Sequence, residues 1–196
     1  MVTAILLAAG QGSRLGTPKV SAELMGQPFV TLCTEALLGG GIQSVHLVIG
    51  PHAELPPLPE EVAIVINPHP ETGQTGSLQA GLRKKIDADG FAIHTVDRPL
   101  VTSRDVSTLL QSFRALDPAE LGVIPSTGGR AGHPAFLRAG LADEIVRLSP
   151  DVPAHSVFRK HRAQLRYLDM NNPWLVRDIN TPEDLADAEK SLAGEN

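Results

Sequence analysis

The sequence is poor in cysteine, in aromatic residues and in positive charge, and each shortage removes a class of function. Cys33 is the one cysteine, so no internal disulfide is available to staple the fold. Its place in the apolar series Phe29, Leu32, Cys33, Ala36, Leu37 is that of a helix residue facing a core. Aromatic residues amount to 4%, and the lone Tyr167 and Trp174 are too few and too far apart to stack successive bases of a nucleic acid. Seventeen Lys and Arg against 22 Asp and Glu give a formal net charge of -5, the wrong sign for neutralising a phosphate polymer. A small anion held by a local cluster of cations remains open. No stretch approaches the ~18 unbroken apolar residues of a membrane span. The opening Met1 to Leu7 lacks the basic start of a secretory signal, so the expectation is a cytoplasmic protein without membrane association. The histidines other than His133 show no spacing that suits a zinc site.

What is present reads as one domain, residues 1–196, long enough to bury a full core. Thr3 to Ala8 is a short apolar run that ends in a glycine-rich loop, as a buried strand would. A helix over Phe29 to Leu38, closed by Gly39-Gly40-Gly41, precedes strands at Val45–Ile49 and Val62–Ile66. Helical spacing over Ser77–Ile86 leads to a fourth strand, Phe91–Val96. A helix from Ser103 or Arg104 to Leu116, with Ser103 as its cap, runs into a strand at Leu121–Pro125. A later strand, Gln164–Leu168, precedes a closing helix over Pro182–Leu192 capped by Thr181. Such alternation predicts an α/β fold, a mostly parallel sheet with helices on both faces. Ligands of such sheets bind beyond the carboxyl ends of the strands, so chemistry is expected after Ala8, Ile66 and Val96 and near Asp178.

The first loop, Leu7-Ala8-Ala9-Gly10-Gln11-Gly12-Ser13-Arg14-Leu15-Gly16-Thr17-Pro18-Lys19, combines a freely exposed backbone with two cations. Main-chain N–H groups there can approach a polyphosphate, and Arg14 and Lys19 supply charge. Two other glycine loops are excluded. Gly10-x-Gly12-x-x-x-Gly16 is one residue off the dinucleotide fingerprint, with Pro18 where its helix should run, and the Walker loop's closing Gly-Lys-Ser/Thr is missing. At the end of the fourth strand Asp97 faces this loop, as a carboxylate holding Mg²⁺ on phosphate oxygens would. Asp178 is a second candidate, whereas Glu183 and Asp184 suit the dipole of the closing helix.

Taken together, Leu7-Ala8-Ala9-Gly10-x-x-x-Arg14-x-Gly16-x-Pro18-Lys19, Asp97-x-Pro99-Leu100-Val101, Gly132-His133-Pro134 and Asp178-Ile179-Asn180-Thr181-Pro182-Glu183-Asp184-Leu185 resemble the MobA-like nucleotidyltransferases in order and spacing. Within that group the chain looks closest to the CTP:molybdopterin cytidylyltransferases. The resemblance implies a GT-A-like Rossmannoid fold, with the triphosphate held by Leu7, Ala8, Ala9, Gly10, Gly12, Ser13, Arg14 and Lys19. It implies Mg²⁺ on Asp97 and Asp178, and base and ribose beside Gly73, Gln74, Gly76 and Ser77. Arg14, Lys19 and Asp97 would be catalytic, and Arg98 and His133 would meet the acceptor. The implied reaction moves CMP from CTP to molybdopterin with release of pyrophosphate, and a molybdenum hydroxylase is a candidate partner. Arg98, and Gln74-Thr75-Gly76, depart from the cytidylyltransferase pattern and bear on nucleotide and acceptor choice. Two alternatives stay open: a transferase using another phosphorylated acceptor such as a sugar or polyol phosphate, and a non-enzymatic carrier of the molybdenum cofactor.

Overall fold

The computed structural model describes residues 1–10, 15–84, 88–149 and 151–194. Gly12, Ser13 and Arg14 of the first loop, and the expected helix end at Ile86, lie outside the described residues. In chain order the elements are β1 (Val2–Leu7), β2 (Glu23–Leu24), β3 (Gln27–Pro28), α1 (Phe29–Gly39), β4 (Ser44–Ile49), β5 (Val62–Ile66), α2 (Gly73–Arg83), β6 (Gly90–Thr95) and α3 (Ser103–Arg114). The remainder comprises β7 (Gly122–Thr127), β8 (Arg130–Ala131), β9 (Ala135–Arg138), α4 (Gly140–Val146), α5 (His155–Lys160), β10 (Leu165–Asp169) and α6 (Pro182–Ala193). Among the described residues no helix is long and apolar enough to cross a membrane.

Alternation along β1 shows how the layers form. Ala4 and Leu6 face one apolar cluster with Phe29, Leu37, Leu109 and Trp174, while Ile5 and Leu7 face a second with Leu78, Leu141, Ile145 and Val157. A strand buried on both faces needs helices on both faces. α1, α3 and α6 supply one cover and α2, α4 and α5 the other. The sheet runs β10-β7-β9-β6-β1-β4-β5, with β8 paired to β7. β1 pairs in parallel with both β4 and β6, and β4 with β5. β9 lies antiparallel between β6 and β7. The predicted α/β class and mostly parallel sheet are therefore observed.

Three local features differ from expectation. β9, α4 and the small β2–β3 ribbon had no counterpart in the apolar pattern. α2 begins four residues earlier than Ser77, at Gly73, whose φ of 71° fits glycine and turns the chain into the helix. α3 is capped by Thr102 rather than Ser103: the Thr102 hydroxyl accepts from Asp105 N at 3.1 Å, and the Asp105 carboxylate accepts from Thr102 N at 2.9 Å. Thr181 caps α6 as predicted, with Asp184 closing the same reciprocal box. Gly81 lets α2 lie close on the sheet, since a Cβ there would sit 2.5 Å from Ile5 Cγ2 and 2.9 Å from Val48 Cγ2. That close seating fixes the start of α2 against the strand ends.

Candidate active site

Beyond the carboxyl ends of the strands, β1 is the switch point. From it the chain crosses to β4 and β5 on one side, and β6 and β9 lie on the other. The cleft opened there has three compartments that share walls. A central one is lined by Ala9, Gly10, Lys19, Gly73, Ser77 and Asp97. On the β4–β5 side, a larger space is walled by Ala8, Pro18, Val20, Pro51, His52 and Pro68, and it shares Ala9, Gly10 and Pro70 with the centre. On the β6 side, a third is lined by Thr75, Leu78, Ile93, His133, Pro153 and Phe158, and it shares Leu7, Gln74 and Thr95 with the centre.

The centre is held by charge. Val20, Ala22 and Leu24 are buried in the core after the first loop, which anchors the segment carrying Lys19. Lys19 Nζ makes an ion pair with Asp97 Oδ2 and donates to Asn180 Oδ1 at 2.5 Å. Burial opposes the charge of Asp97, but the Lys19 ammonium more than offsets it and holds the carboxyl below the usual carboxylate range. The second oxygen, Asp97 Oδ1, is buried without a well-formed hydrogen bond, the Thr95 hydroxyl beside it helping to lower the carboxyl. A buried carboxylate oxygen left bare is costly unless something else completes it, and a hard cation is the obvious complement.

The start of α2 faces the same compartment. No side chain caps it, and the Thr72 hydroxyl is committed elsewhere, donating to His69 O at 2.6 Å. Gly73 N–H donates to Pro70 O, and the following first-turn N–H groups have no side-chain cap, with Gly73 and Gln74 lining the centre. Ser77 is fixed by donating to Gly73 O at 3.0 Å and accepting from Asn67 Nδ2 at 3.1 Å. Gly76 turns to Thr72, where any Cβ would meet Thr72 Oγ1, so it shapes the turn rather than lining the centre.

Asp178 is engaged otherwise than expected. Ile179 is fully buried and its N–H donates to Asp97 O at 2.8 Å, so the extended segment lies against the Asp97 loop with residues 178 and 180 on either side. Asp178 accepts from Arg98 Nε at 2.6 Å, while Asn180 reaches Lys19 beside Asp97. The side chain that joins Asp97 on Lys19 is therefore Asn180, behind the lining of the central compartment, and sequence reasoning missed it. Arg98, expected at the acceptor, is held by Asp178 and by Leu175 O at 3.3 Å and lines none of the three compartments. His133 does line the third. Its Nδ1 lies 3.0 Å from Ile93 O, and burial, seconded by the Arg98 guanidinium, pushes its pKa down to about 4.

The arrangement can hold a polyphosphate at its centre, with a compartment free of Lys and Arg among its described lining residues on each side. Residues 4–165 match the MobA-like NTP transferase domain, and the chain belongs to that family, a family of nucleotidyltransferases. Among individual proteins it is 29% identical to nicotine blue oxidoreductase of Paenarthrobacter nicotinovorans, over 94% of each chain. It is 32% identical to 2-C-methyl-D-erythritol 4-phosphate cytidylyltransferase of Rhodococcus jostii (strain RHA1), over 64% of this chain and 57% of that protein. The fold is shared with Rv0371C of Mycobacterium tuberculosis H37Rv in its manganese complex, at a TM-score of 0.76 and 19% identity over 96% of this chain and 97% of that one.

Proposed function

We propose that the protein transfers CMP from CTP to molybdopterin, releasing pyrophosphate, with a divalent cation held at Asp97 and Asn180. The observation that carries the reading is the bare Asp97 Oδ1 beside Lys19 and the uncapped start of α2, between two compartments that share walls with it. The nucleotide would lie on the β4–β5 side with its phosphates at the centre, and the acceptor on the β6 side. The donors fit Mg²⁺ or Mn²⁺, which take oxygen ligands and use few protein carboxylates when phosphate oxygens complete the shell. Bound there, the cation supplies neutralisation of the phosphate charge.

The protein's own contribution is positioning and fixed charge. Lys19 would exchange the Asp97 carboxylate for phosphate oxygens and, with Arg14, stabilise charge gathering on the departing pyrophosphate. The first turn of α2 would hold phosphate or ribose oxygens through its N–H groups. Leu7, Ala8, Ala9 and Gly10 offer backbone to the nucleotide, with Gly12 and Ser13 assigned the same role by motif. A phosphate nucleophile is already ionised at neutral pH, so no general base is needed, and a neutral His133 suits acceptor contact.

The name of the full-length relative raises hydride transfer as a rival. Against it, the described residues after the first loop form a turn and the β2–β3 ribbon, and among the described residues the next helix, α1, starts only at Phe29, unlike a dinucleotide site. β4 also ends in Gly50-Pro51, without an acid for a ribose. The test is pyrophosphate release with Mg²⁺ or Mn²⁺ and each of CTP, GTP, UTP and ATP, with and without molybdopterin. Release with CTP only when molybdopterin is present is the expected result. Release with a sugar or polyol phosphate instead would move the reading to that acceptor, and nucleotide binding without any release would favour a cofactor carrier.

A further inference from the structure

The two edges of the sheet are finished differently. β10, at one end, presents Arg166, which donates to Glu120, then Tyr167 beneath the Arg162 guanidinium, and an exposed Asp169. Charges of this kind keep an edge from pairing with another chain. β5, at the other end, reads Val62-Ala63-Ile64-Val65-Ile66, without charge, proline or glycine. Ile64 is 50% and Ile66 57% exposed, on the same face of the strand. Among the described residues β4 is the one strand that pairs with β5.

Bonds at the two ends of β5 settle which of its backbone groups face outward. Val45 N donates to Glu61 O at 3.0 Å, and Asn67 N donates to Ile49 O at 2.8 Å. The parallel ladder to β4 therefore takes the odd-numbered residues of β5, and the N–H and C=O of Ile64 and Ile66 point to the open edge. Val62 N is used locally, donating to Pro59 O at 3.1 Å, while its C=O points outward with the others. A row of outward backbone groups beside half-exposed β-branched side chains is a template for one more strand.

We propose that this edge pairs antiparallel with the β5 edge of a second copy of the chain, with Ile64 on the twofold axis, joining the two sheets into one. The parity of the outward groups picks this register. Ile64 N–H and C=O meet their own counterparts in the other copy, and Ile66 N–H meets Val62 C=O in both directions. Val62, Ile64 and Ile66 of both copies then form one row on one face, packing β-branched side chains across the axis. Charge picks the orientation. Exposed Glu60 and Glu61 precede the strand, and uncharged Asn67 and Pro68 follow it, so antiparallel pairing sets the acids beside neutral residues. Parallel pairing would set Glu60 and Glu61 of both copies abreast, between chains each of net charge -5. A second copy brings all of these matches by symmetry, and pairing about a twofold axis consumes both β5 edges, so assembly stops at a dimer. Pro68 walls the β4–β5 compartment, and the second copy thus borders the cleft.

The experiment is analytical ultracentrifugation of the whole chain up to about 0.2 mM, where even a Kd of about 0.1 mM populates a dimer. A mass twice the 20.8 kDa of one chain is expected at the upper end. Ile64→Lys sets like charges across the axis, and Ile64→Pro removes an outward N–H that β4 does not use. Each should weaken association about tenfold or more, and Ile64→Lys carries the test should proline distort the strand. Register is read by cross-linking under mild oxidation, on a non-reducing gel. Ile64→Cys should give a disulfide-linked dimer, because Cα atoms of such a pair stand about 5.5 Å apart, within disulfide reach. Ala63→Cys, opposite Val65 of the other copy, should not, and Cys33 is buried and does not compete. Monomer at every concentration, a dimer unweakened by either Ile64 substitution, or equal cross-linking by Ala63→Cys and Ile64→Cys would overturn the proposal.

Discussion

The two sides of the cleft are built differently. On the β4–β5 side the strands are all parallel and the walls come from glycine, alanine and proline within the first 70 residues, so recognition there falls to backbone groups and to the Lys19–Asp97 pair. On the β6 side an antiparallel strand, β9, and the segment around 151–158 bring side chains distant in sequence together, His133 and Thr95 among them. A triphosphate is common to every nucleotide and is held by generic means. An acceptor is particular, and on the proposed reading the side it would occupy is the one built from side chains distant in sequence.

The largest way to break this contrast is at the centre both sides share. Asp97→Asn should lower turnover by about 10²–10³-fold, the scale of losing one preorganised electrostatic group. The thermal midpoint should change little, because side-chain volume is kept, and pyrophosphate release measured beside a melting curve checks both. Asn180→Ala should weaken Mn²⁺-dependent CTP binding by about tenfold or more, whereas Asp178→Asn should leave it within about twofold, which separates the two residues in one titration.

Gly132→Ala acts on the acceptor side alone. Its Cβ would stand 2.2 Å from Leu175 O, a backbone atom that cannot swing away, beside the bond from His133 N to that same oxygen at 2.9 Å. A loss of about 1–3 kcal/mol in denaturant unfolding is expected, with the CTP affinity holding.

Acid sharpens the comparison next. Burial, with help from His133 and Arg98, pushes the fully buried His94 down to about 3, and burial pushes His133 to about 4. Both are lowered from the ordinary 6.5, so between those values the unfolded chain binds more protons than the folded one. Their contribution to stability is whole above pH 6.5 and falls as pH drops toward 4, by up to about 1.4 kcal/mol per pH unit for each. Melting curves from pH 7 to 4.5 should decline, and His94→Gln should flatten the slope. The smallest effect belongs to a site remote from the chemistry: Thr102→Ala removes the cap of α3 and should cost about 1 kcal/mol without changing turnover.

The same contrast explains what was legible in the sequence. β1, β4, β5 and β6 are continuous apolar runs bounded by turn formers, and their ends carry Lys19, Asp97 and the start of α2 in local motifs. β9 is four residues, Ala135-Phe136-Leu137-Arg138, too short to show a period, and it earns its place only by pairing with β6 and β7. Asn180 carries no charge, so a pattern of metal-binding acids does not point to it. Its position follows from Ile179, whose burial sends residues 178 and 180 away from the core, and that alternation was available to reading. The capping pair Thr102 and Asp105 was available too, as a Thr followed three residues later by an acid.

One late contact has a consequence for proteolysis. Every strand of the sheet lies before residue 170, yet Lys19 reaches forward 161 residues to Asn180 and the carbonyl of Asp97 is met by the amide of Ile179. A chain trimmed back to residue 176 would keep all ten strands and both sides of the cleft, while Asp97 would lose its amide donor and Lys19 its second anchor. The tail beyond β10 thus helps to set the centre, so C-terminal nicking is expected to inactivate the protein before the sheet collapses.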